Sequence, residues 1–212
     1  MLNVCEMYPA IEGETSHAGL PCVIVRLAGC NLDCSFCDTP FARSSYMEMS
    51  LEQVCAFCHA SGLRLVLLTG GEPLLQEETR DLMRKLIQGG FKVILETNGS
   101  IPLGEIPEGV NVILDVKCPG SGMASKNHLA NLGGLRSSDE VKFVIGDRAD
   151  FDFALEMVRR YFLIERAGVL FSPAFGRMRP DALAGWILET RLPIRLNLQI
   201  HKYIWPPDER GR

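Results

Sequence analysis

The sequence predicts an α/β fold, a partial (incomplete) TIM-like barrel of about six parallel strands with outer helices, in a single domain over residues 1–212. Three observations predict it. Short apolar runs alternate along the chain with segments of helical periodicity, the pattern of strand and helix units that build a parallel sheet. The runs are continuous, as in Leu65 to Leu68, which suits strands covered on both faces. Finally, 212 residues fall short of a complete eight-fold barrel, which typically needs about 250.

Each element follows from local signals. Cys22 to Leu27 is a strand that runs into a loop rich in glycine and cysteine, Gly29 to Asp38, closed by the turn residues Asp38, Thr39 and Pro40. Ser50 with Glu52 and Gln53 starts a helix over Leu51 to Ala60, and Gly62 stops it. Leu65 to Leu68 is a buried strand ending at Thr69-Gly70-Gly71-Glu72-Pro73; the helix Glu77 to Gln88 follows and Gly89-Gly90 terminates it. Lys92 to Glu96 and Val112 to Val116 continue the strands, and Val141 to Ile145 precedes a helix from Asp150 to Phe162. Val169 to Ser172 and Leu196 to Ile200 are two more strands, with a helix from about Asp181 to Thr190 between them. Gly120 to Ser138 reads as a long loop, and Pro206-Pro207-Asp208-Glu209-Arg210 as a short mobile tail.

Composition excludes several classes. A formal net charge of -4 argues against a broad basic face and hence against nucleic acid. No apolar run approaches the roughly 18 to 20 residues of a membrane span, so no membrane partner is expected. Glu6, Glu12 and Glu14 stand where a signal peptide would be basic and then apolar, so the expected location is cytoplasmic. In a reducing compartment, closely spaced cysteines are more often metal ligands or redox groups than disulfides. Of the eight cysteines, Cys30, Cys34 and Cys37 form one local set and Cys55 and Cys58 another.

Cys30-Asn31-Leu32-Asp33-Cys34-Ser35-Phe36-Cys37 has the spacing CxxxCxxC, which brings three thiolates together without a fourth ligand nearby. A structural zinc site or a ferredoxin-type cluster supplies four protein ligands. Three leave a coordination position for an outside molecule, although a zinc knuckle or three buried thiols stays open on spacing alone. This loop resembles the cluster loop of the radical S-adenosylmethionine enzymes, and Thr69-Gly70-Gly71-Glu72-Pro73 resembles their GGEP motif. The resemblance implies a 4Fe-4S cluster on Cys30, Cys34 and Cys37 and S-adenosylmethionine held through its amino and carboxylate groups, in a radical SAM core. Gly70 and Gly71 would permit close backbone approach.

The resemblance narrows at both ends of the chain. Tyr8-Pro9-Ala10-Ile11-Glu12-Gly13-Glu14, then Gly19-Leu20-Pro21 and Arg26, and the late Leu198-Gln199-Ile200-His201-Lys202, are similar to the 7-carboxy-7-deazaguanine synthase family of queuosine and deazapurine biosynthesis. That likeness implies conversion of 6-carboxy-5,6,7,8-tetrahydropterin to 7-carboxy-7-deazaguanine by radical ring contraction with loss of ammonia. It also implies S-adenosylmethionine as a regenerated cofactor, Mg2+, a homodimer, and a flavodoxin or ferredoxin-type electron donor. Carried over by position, Ile11, Glu12 and Gly13 would line the pterin with backbone groups, and Glu14 would approach its aminopyrimidine edge. Arg26 would pair with the substrate carboxylate through its guanidinium fork, and Thr69 would contact substrate. Thr39 would ligate Mg2+, an ion that takes oxygen ligands and retains waters. Phe36, Cys37, Asp38, Gly71, Asp115, Val116, Lys117, Ser172, Pro173, Ala174 and Phe175 would contact S-adenosylmethionine. Asp115-Val116-Lys117 and Ser172-Pro173 depart from the Ser-Pro-Lys and Gln-Pro of many relatives. By the same resemblance Gln199, His201 and Lys202 would take a substrate-side or dimer-side role.

Two other classes compete. A radical-generating activase acting on a partner protein would share the cysteine loop but have no use for Arg26 and the Ile11 to Glu14 segment. A non-catalytic iron-sulfur or zinc-binding protein would not need the GGEP-like strand end. Cys55-Ala56-Phe57-Cys58-His59 matches the CxxCH of covalent haem attachment, but it falls inside a predicted helix and reads as helix thiols. Cys5, Cys22 and Cys118 read as small hydrophobes, and the basic residues between 158 and 166 as a solvated helix face.

Overall fold

The computed structural model describes residues 1–207 and 209–211. The apolar runs become β2 (Pro21–Leu27), β4 (Leu65–Gly70), β5 (Lys92–Thr97), β6 (Val110–Val116), β7 (Glu140–Ile145), β8 (Gly168–Pro173) and β9 (Arg195–Leu196), each parallel to its neighbour in that order. Two strands escape the sequence reading: β1 (Leu2–Ile11), antiparallel to β2, and β3 (Met47–Met49), antiparallel to β1 at the outer edge. The nine strands form one sheet in the order β3-β1-β2-β4-β5-β6-β7-β8-β9, and its edges do not pair with each other. The partial barrel is therefore observed, as an open curved sheet with seven parallel strands rather than six.

Helices α1 (Leu51–Ala60), α2 (Thr79–Gln88), α3 (Arg148–Arg160) and α4 (Pro180–Thr190) lie within two residues of their predicted bounds. At the start of α1 the Ser50 hydroxyl accepts from the Gln53 amide at 3.2 Å while the Gln53 side chain accepts from the Ser50 amide at 2.8 Å, a reciprocal cap. The period-2 alternation of each strand sorts its side chains onto two faces. Val23, Val25 and Leu27 of β2, with Val66, Leu68, Val93 and Leu95, pack outward on α1 and α2 through Val54, Cys58, Leu82, Met83 and Leu86. Val141, Phe143, Ile145 and Phe171 do the same against Phe151, Ala154 and Val158 of α3 and Leu183 and Ile187 of α4. The inner face is apolar only at its base, where Cys22, Ile24, Leu65, Leu67, Ile94 and Ile113 meet. One residue pair further along each strand it turns polar.

Three expectations need correction. The strand predicted over Leu196 to Ile200 stops at Leu196: the Asn197 amide makes the last ladder bond, to the Phe171 carbonyl at 2.9 Å, its side chain is taken by the Thr15 amide and Ser172 Oγ, each at 2.8 Å, and the chain then leaves the sheet for α5 (His201–Ile204). The loop from Gly120 to Ser138 contains short 3-10 turns at Pro119–Ser121, Ala124–Lys126 and Leu129–Gly134, and Asn127 and Asn131 bond its turns to the ends of β5 and β6. The C-terminal tail is not free of the body: Arg210 lies 3.8 Å from the Phe41 ring centroid and 3.6 Å from the Glu6 carboxylate. Asp208 lies outside the described residues.

Across the open seam two segments meet. The loop after β1 donates the Thr15 amide to the Asn197 side chain at 2.8 Å, and the Ile200 amide donates to the Gly13 carbonyl at 2.9 Å. The residues after β9 thereby replace the missing strand pairing.

Candidate active site

β2 ends at Leu27, and Gly29, with φ near +91, turns the chain into the cysteine loop while its amide bonds the Ala42 carbonyl at 2.8 Å and closes the loop at its neck. The end of β4 braces this loop. Gly71 N donates to Leu27 O at 3.1 Å and Glu72 N to Gly29 O at 2.8 Å. A Cβ on Gly70 would lie 2.2 Å from Leu27 O; one on Gly71 would lie 2.2 Å from Gly29 O and 2.7 Å from Cys30 Cβ. The close backbone approach anticipated for these glycines is therefore made first to the protein's own cysteine loop. Glu72 is fully buried and its carboxylate accepts from Thr97 Oγ1, Asn98 N at 2.7 Å and Leu74 N at 2.9 Å, tying β4 to β5. Burial pushes its pKa up against those bonds.

Cys30 and Cys34 are half-buried and Cys37 exposed, and all eight cysteines are free thiols. Asn98 Nδ2 lies 3.8 Å from Cys30 Sγ and 3.2 Å from Asn31 Oδ1, placing a donor beside the first thiol. Ser35 is held on both sides, its amide by the Ser121 carbonyl at 3.0 Å and its hydroxyl by the Gly120 carbonyl at 2.8 Å. Arg177 donates to Ser35 O at 3.2 Å and covers the Phe36 ring at 5.3 Å. Burial raises the Cys34 pKa, and Lys117 opposes that rise. Among the described residues no three His, Cys, Asp or Glu side chains converge on a single ion site. The chemistry of the donor set fits a cluster: three thiols on one short loop match the cysteine ligation of an iron-sulfur centre, and backbone bonds already order the loop.

The polar upper half of the inner face is a linked charge network. Lys142 of β7 is 4% exposed, and its ammonium bonds Glu14 at 3.0 Å and Glu96 of β5, with Asp115 of β6 3.8 Å away. Thr69 Oγ1 donates to the other Glu96 oxygen at 2.9 Å, and Lys117 pairs Asp115 Oδ2 at 3.0 Å. Burial pulls the Lys142 pKa down, but Glu14, Glu96 and Asp115 hold it well above the ordinary lysine value. Burial likewise works against the charge of Glu96, and Lys142 keeps its carboxyl low. Among the described residues Asp115 Oδ1 is buried without a hydrogen-bond partner, an acceptor left over for a ligand donor.

The residues following β9 close the site from the seam. Gln199 Nε2 donates to Glu14 Oε1 at 2.8 Å and reaches Asp38 at 3.3 Å; Lys202 bonds Asp38 and Gln199 Oε1, each at 2.9 Å, and lies 5.1 Å from the Phe175 ring centroid. Asn197 joins Ser172 Oγ at 2.8 Å. His201 occupies the space a side chain on Gly13 would need, its Nδ1 only 1.9 Å from the ideal Cβ position.

Most sequence-predicted residues therefore gather at one edge of the sheet, with qualifications the topology imposes. Arg26 is paired with Glu6 at 2.8 Å. The backbone of Ile11 to Glu14 is largely engaged in its own loop: Glu12 N and O bond Leu20 and Gly19, and the Glu14 amide is taken by the Glu12 carboxylate at 3.1 Å. Val116 faces the helices and can offer the inner face only backbone. Pro173 and Ala174 are buried at the end of β8 and Phe175 is exposed. Thr39 precedes a 3-10 turn, Pro40–Arg43, without using its hydroxyl as a cap. Cys55 and Cys58 do lie on α1, half-buried and buried, and burial pushes the Cys58 thiol up to about 12, an inert state.

Sequence reasoning missed Lys142, Glu96, Asn98, Asn197 and Glu6. Lys142 and Glu96 carried a usable signal, a charge interrupting an apolar strand. Asn98 and Asn197 carried none.

A family model described as the radical SAM superfamily matches residues 24–162. The chain is 41% identical over 227 residues to the 7-carboxy-7-deazaguanine synthase of Koribacter versatilis, covering 99% of this chain and 100% of that one. It is 39% identical to the enzyme of that name from Chlorobaculum tepidum, covering 99% and 97%. Among solved structures, QueE from Escherichia coli superposes with a TM-score of 0.75 at 22% identity, covering 93% of each chain. SuiB from Streptococcus suis gives a TM-score of 0.56 over 81% of this chain and 47% of its own.

Proposed function

We propose that this chain, which belongs to the 7-carboxy-7-deazaguanine synthase family of the radical SAM superfamily, converts 6-carboxy-5,6,7,8-tetrahydropterin to 7-carboxy-7-deazaguanine by ring contraction with loss of ammonia. One observation carries the reading: the cysteine loop after β2, the Gly70-Gly71-Glu72 end of β4 and the polar row Arg26, Thr69, Glu96, Asp115 and Lys142 share the C-terminal edge of one open sheet. That edge is where parallel α/β enzymes place ligands.

The 4Fe-4S cluster and S-adenosylmethionine supply, when bound, a one-electron chemistry that removes hydrogen from substrate. Cys30, Cys34 and Cys37 hold the cluster, and the Asn98 amide beside Cys30 donates toward its sulfur. The unpartnered Asp115 oxygen and the Lys117 ammonium face S-adenosylmethionine, with Phe36, Cys37, Asp38, Gly71, Ser172, Pro173, Ala174 and Phe175 around it; Val116 contributes backbone alone. On the substrate side, Glu14 accepts from the N–H donors of the aminopyrimidine ring, beside Ile11, Glu12 and Gly13. Arg26 exchanges its bond to Glu6 for the substrate carboxylate, and Thr69 completes the contact. A guanidinium suits that exchange because its planar fork meets an incoming carboxylate with two parallel N–H donors.

Thr39 is the protein ligand we assign to Mg2+, with substrate oxygens and water filling the remaining positions. The hydroxyl is not consumed by a helix cap, which fits that use. A homodimer, a flavodoxin or ferredoxin-type electron donor and a cytoplasmic location complete the proposal; among the described residues no helix is long and apolar enough to cross a membrane.

The test is anaerobic turnover. Protein with a reconstituted cluster is given dithionite, S-adenosylmethionine, Mg2+ and 6-carboxytetrahydropterin, and product is read by mass spectrometry. The reading predicts 7-carboxy-7-deazaguanine, abolished in Cys34→Ala. Formation of 5'-deoxyadenosine without that product would refute the substrate assignment, and an activase would behave in that way.

A further inference from the structure

Lys142 belongs to none of the motifs that point to the family, yet it sits at the centre of the charge network. Its strand explains its position. In β7, Lys142 pairs in register with Asp115 of β6, and the alternation that buries Val141 and Phe143 against the helices turns the intervening lysine to the inner face. Its ammonium is a single donor head bridging Glu14, from the loop after β1, and Glu96, from β5. No other lysine or arginine is hydrogen-bonded to either carboxylate among the described residues.

The partners of Glu14 show what Lys142 does. Gln199 occupies Oε1 at 2.8 Å, while Lys142 at 3.0 Å and Asn197 at 3.4 Å occupy Oε2. A carboxylate offers about four acceptor positions, so one remains, and it lies on the oxygen that Lys142 does not hold. Glu96 is held in the same way, Lys142 on one oxygen and Thr69 on the other. Lys142 thus restrains both carboxylates from behind. Without it, Glu14, Glu96 and Asp115 would face one another across the inner face with no cation bridging them, Lys117 being paired with Asp115 and Arg26 with Glu6.

We propose that Lys142 is a positioning residue that, by bridging Glu14 and Glu96, aims the open acceptor of Glu14 at the N–H donors of an aminopyrimidinone ring and thereby sets the selectivity for a 2-amino over a 2-oxo ring. This inference rests on the substrate reading above. A fixed carboxylate rewards a ring that presents an N–H and repels one that presents an oxygen. A carboxylate free to rotate away discriminates less, since it can turn its charge to water.

The experiment measures binding, by fluorescence titration of holoenzyme loaded with cluster and S-adenosylmethionine. The two probes are 6-carboxypterin and 6-carboxylumazine, which carries an oxo group in place of the 2-amino group. Wild-type protein is expected to prefer the pterin by about ten- to a hundredfold, the effect of one or two hydrogen bonds to a charged group. In Lys142→Met that ratio falls to within a few-fold of unity, with iron content unchanged and both probes titrated at saturating S-adenosylmethionine. A purely structural role would weaken both probes together and leave the ratio standing, and a wild-type ratio in Lys142→Met overturns the proposal. Should Lys142→Met fail to fold, Lys142→Arg keeps the positive charge but not the single-nitrogen bridge; there the ratio falls several-fold, and a retained ratio again overturns the proposal. Wild-type protein that binds neither probe would instead refute the substrate assignment, and the inference with it.

Discussion

Adding one methyl group at Gly71 should dislodge the cysteine loop. In Gly71→Ala the new Cβ would stand 2.2 Å from Gly29 O and 2.7 Å from Cys30 Cβ, and real Cβ atoms do not approach a neighbour within 3.0 Å. Neither neighbour is the movable tip of a long side chain, so the loop or the end of β4 must shift by the better part of an ångström. That shift strains the bonds Gly71 N to Leu27 O and Glu72 N to Gly29 O, at 3.1 and 2.8 Å. Overpacking at about 1–3 kcal/mol and two weakened backbone bonds at about 0.5–1.5 kcal/mol each sum to roughly 2–6 kcal/mol, with a midpoint of about 4 kcal/mol. For a chain of 212 residues this corresponds to a Tm lower by about 10 °C. The assay pairs thermal unfolding of the apo protein with iron content after reconstitution, both expected to fall. Gly185→Ala is the control, because nothing lies within 4 Å of its added methyl inside α4; it should stabilise by up to about 1 kcal/mol. If Gly71→Ala matched wild type in Tm and iron content, the steric account of the GGEP-like strand end would be wrong.

Three further outcomes follow from single contacts. Glu12 is 2% exposed, and burial raises its pKa from 4.5 to about 8. The folded protein therefore keeps a proton there that the unfolded chain releases, so stability falls as pH rises from about 4.5 to 8. Glu12→Gln should flatten that part of the curve of urea midpoint against pH, and an unchanged slope would assign it to another group. Asp150 is fully buried and accepts from Gly120 N at 2.7 Å and Gly146 N at 2.9 Å. Asp150→Ala leaves both amides unpaired and should cost about 2–4 kcal/mol, read by chemical denaturation; a loss under 1 kcal/mol would contradict it. Lys202→Met removes the bonds to Asp38 and Gln199. Its effect on Tm should be small, since methionine fills the buried stem of Lys202, whose side chain is 8% exposed, while Asp38, 52% exposed, stays solvated when its partner is lost, but iron should be lost to a chelator several-fold faster. Identical chelation kinetics would show that the C-terminal segment does not brace the cluster loop.

The sequence by itself determined the elements whose cause is local. Continuous apolar runs, the Ser50 cap and the Gly-Gly stops are properties of neighbouring residues, and β2, β4 to β8 and α1 to α4 lie where those signals put them. The cysteine triplet was legible for the same reason, since its chemistry is set by spacing within eight residues. Strand β1 was hidden by Glu6 and Pro9, which interrupt its pattern, and is a strand because β2 and β3 pair with it on both sides. β9 was overcalled because an apolar alternation cannot report that no neighbour exists beyond it. The pairing of Arg26 with Glu6, the clasp of Gln199 and Lys202 on Asp38 and the charge network around Lys142 join residues separated by 20 to 164 positions. Such contacts arise only when the sheet curls and brings its C-terminal edge and open seam together, and pairwise electrostatics then depends on distances that no local pattern encodes.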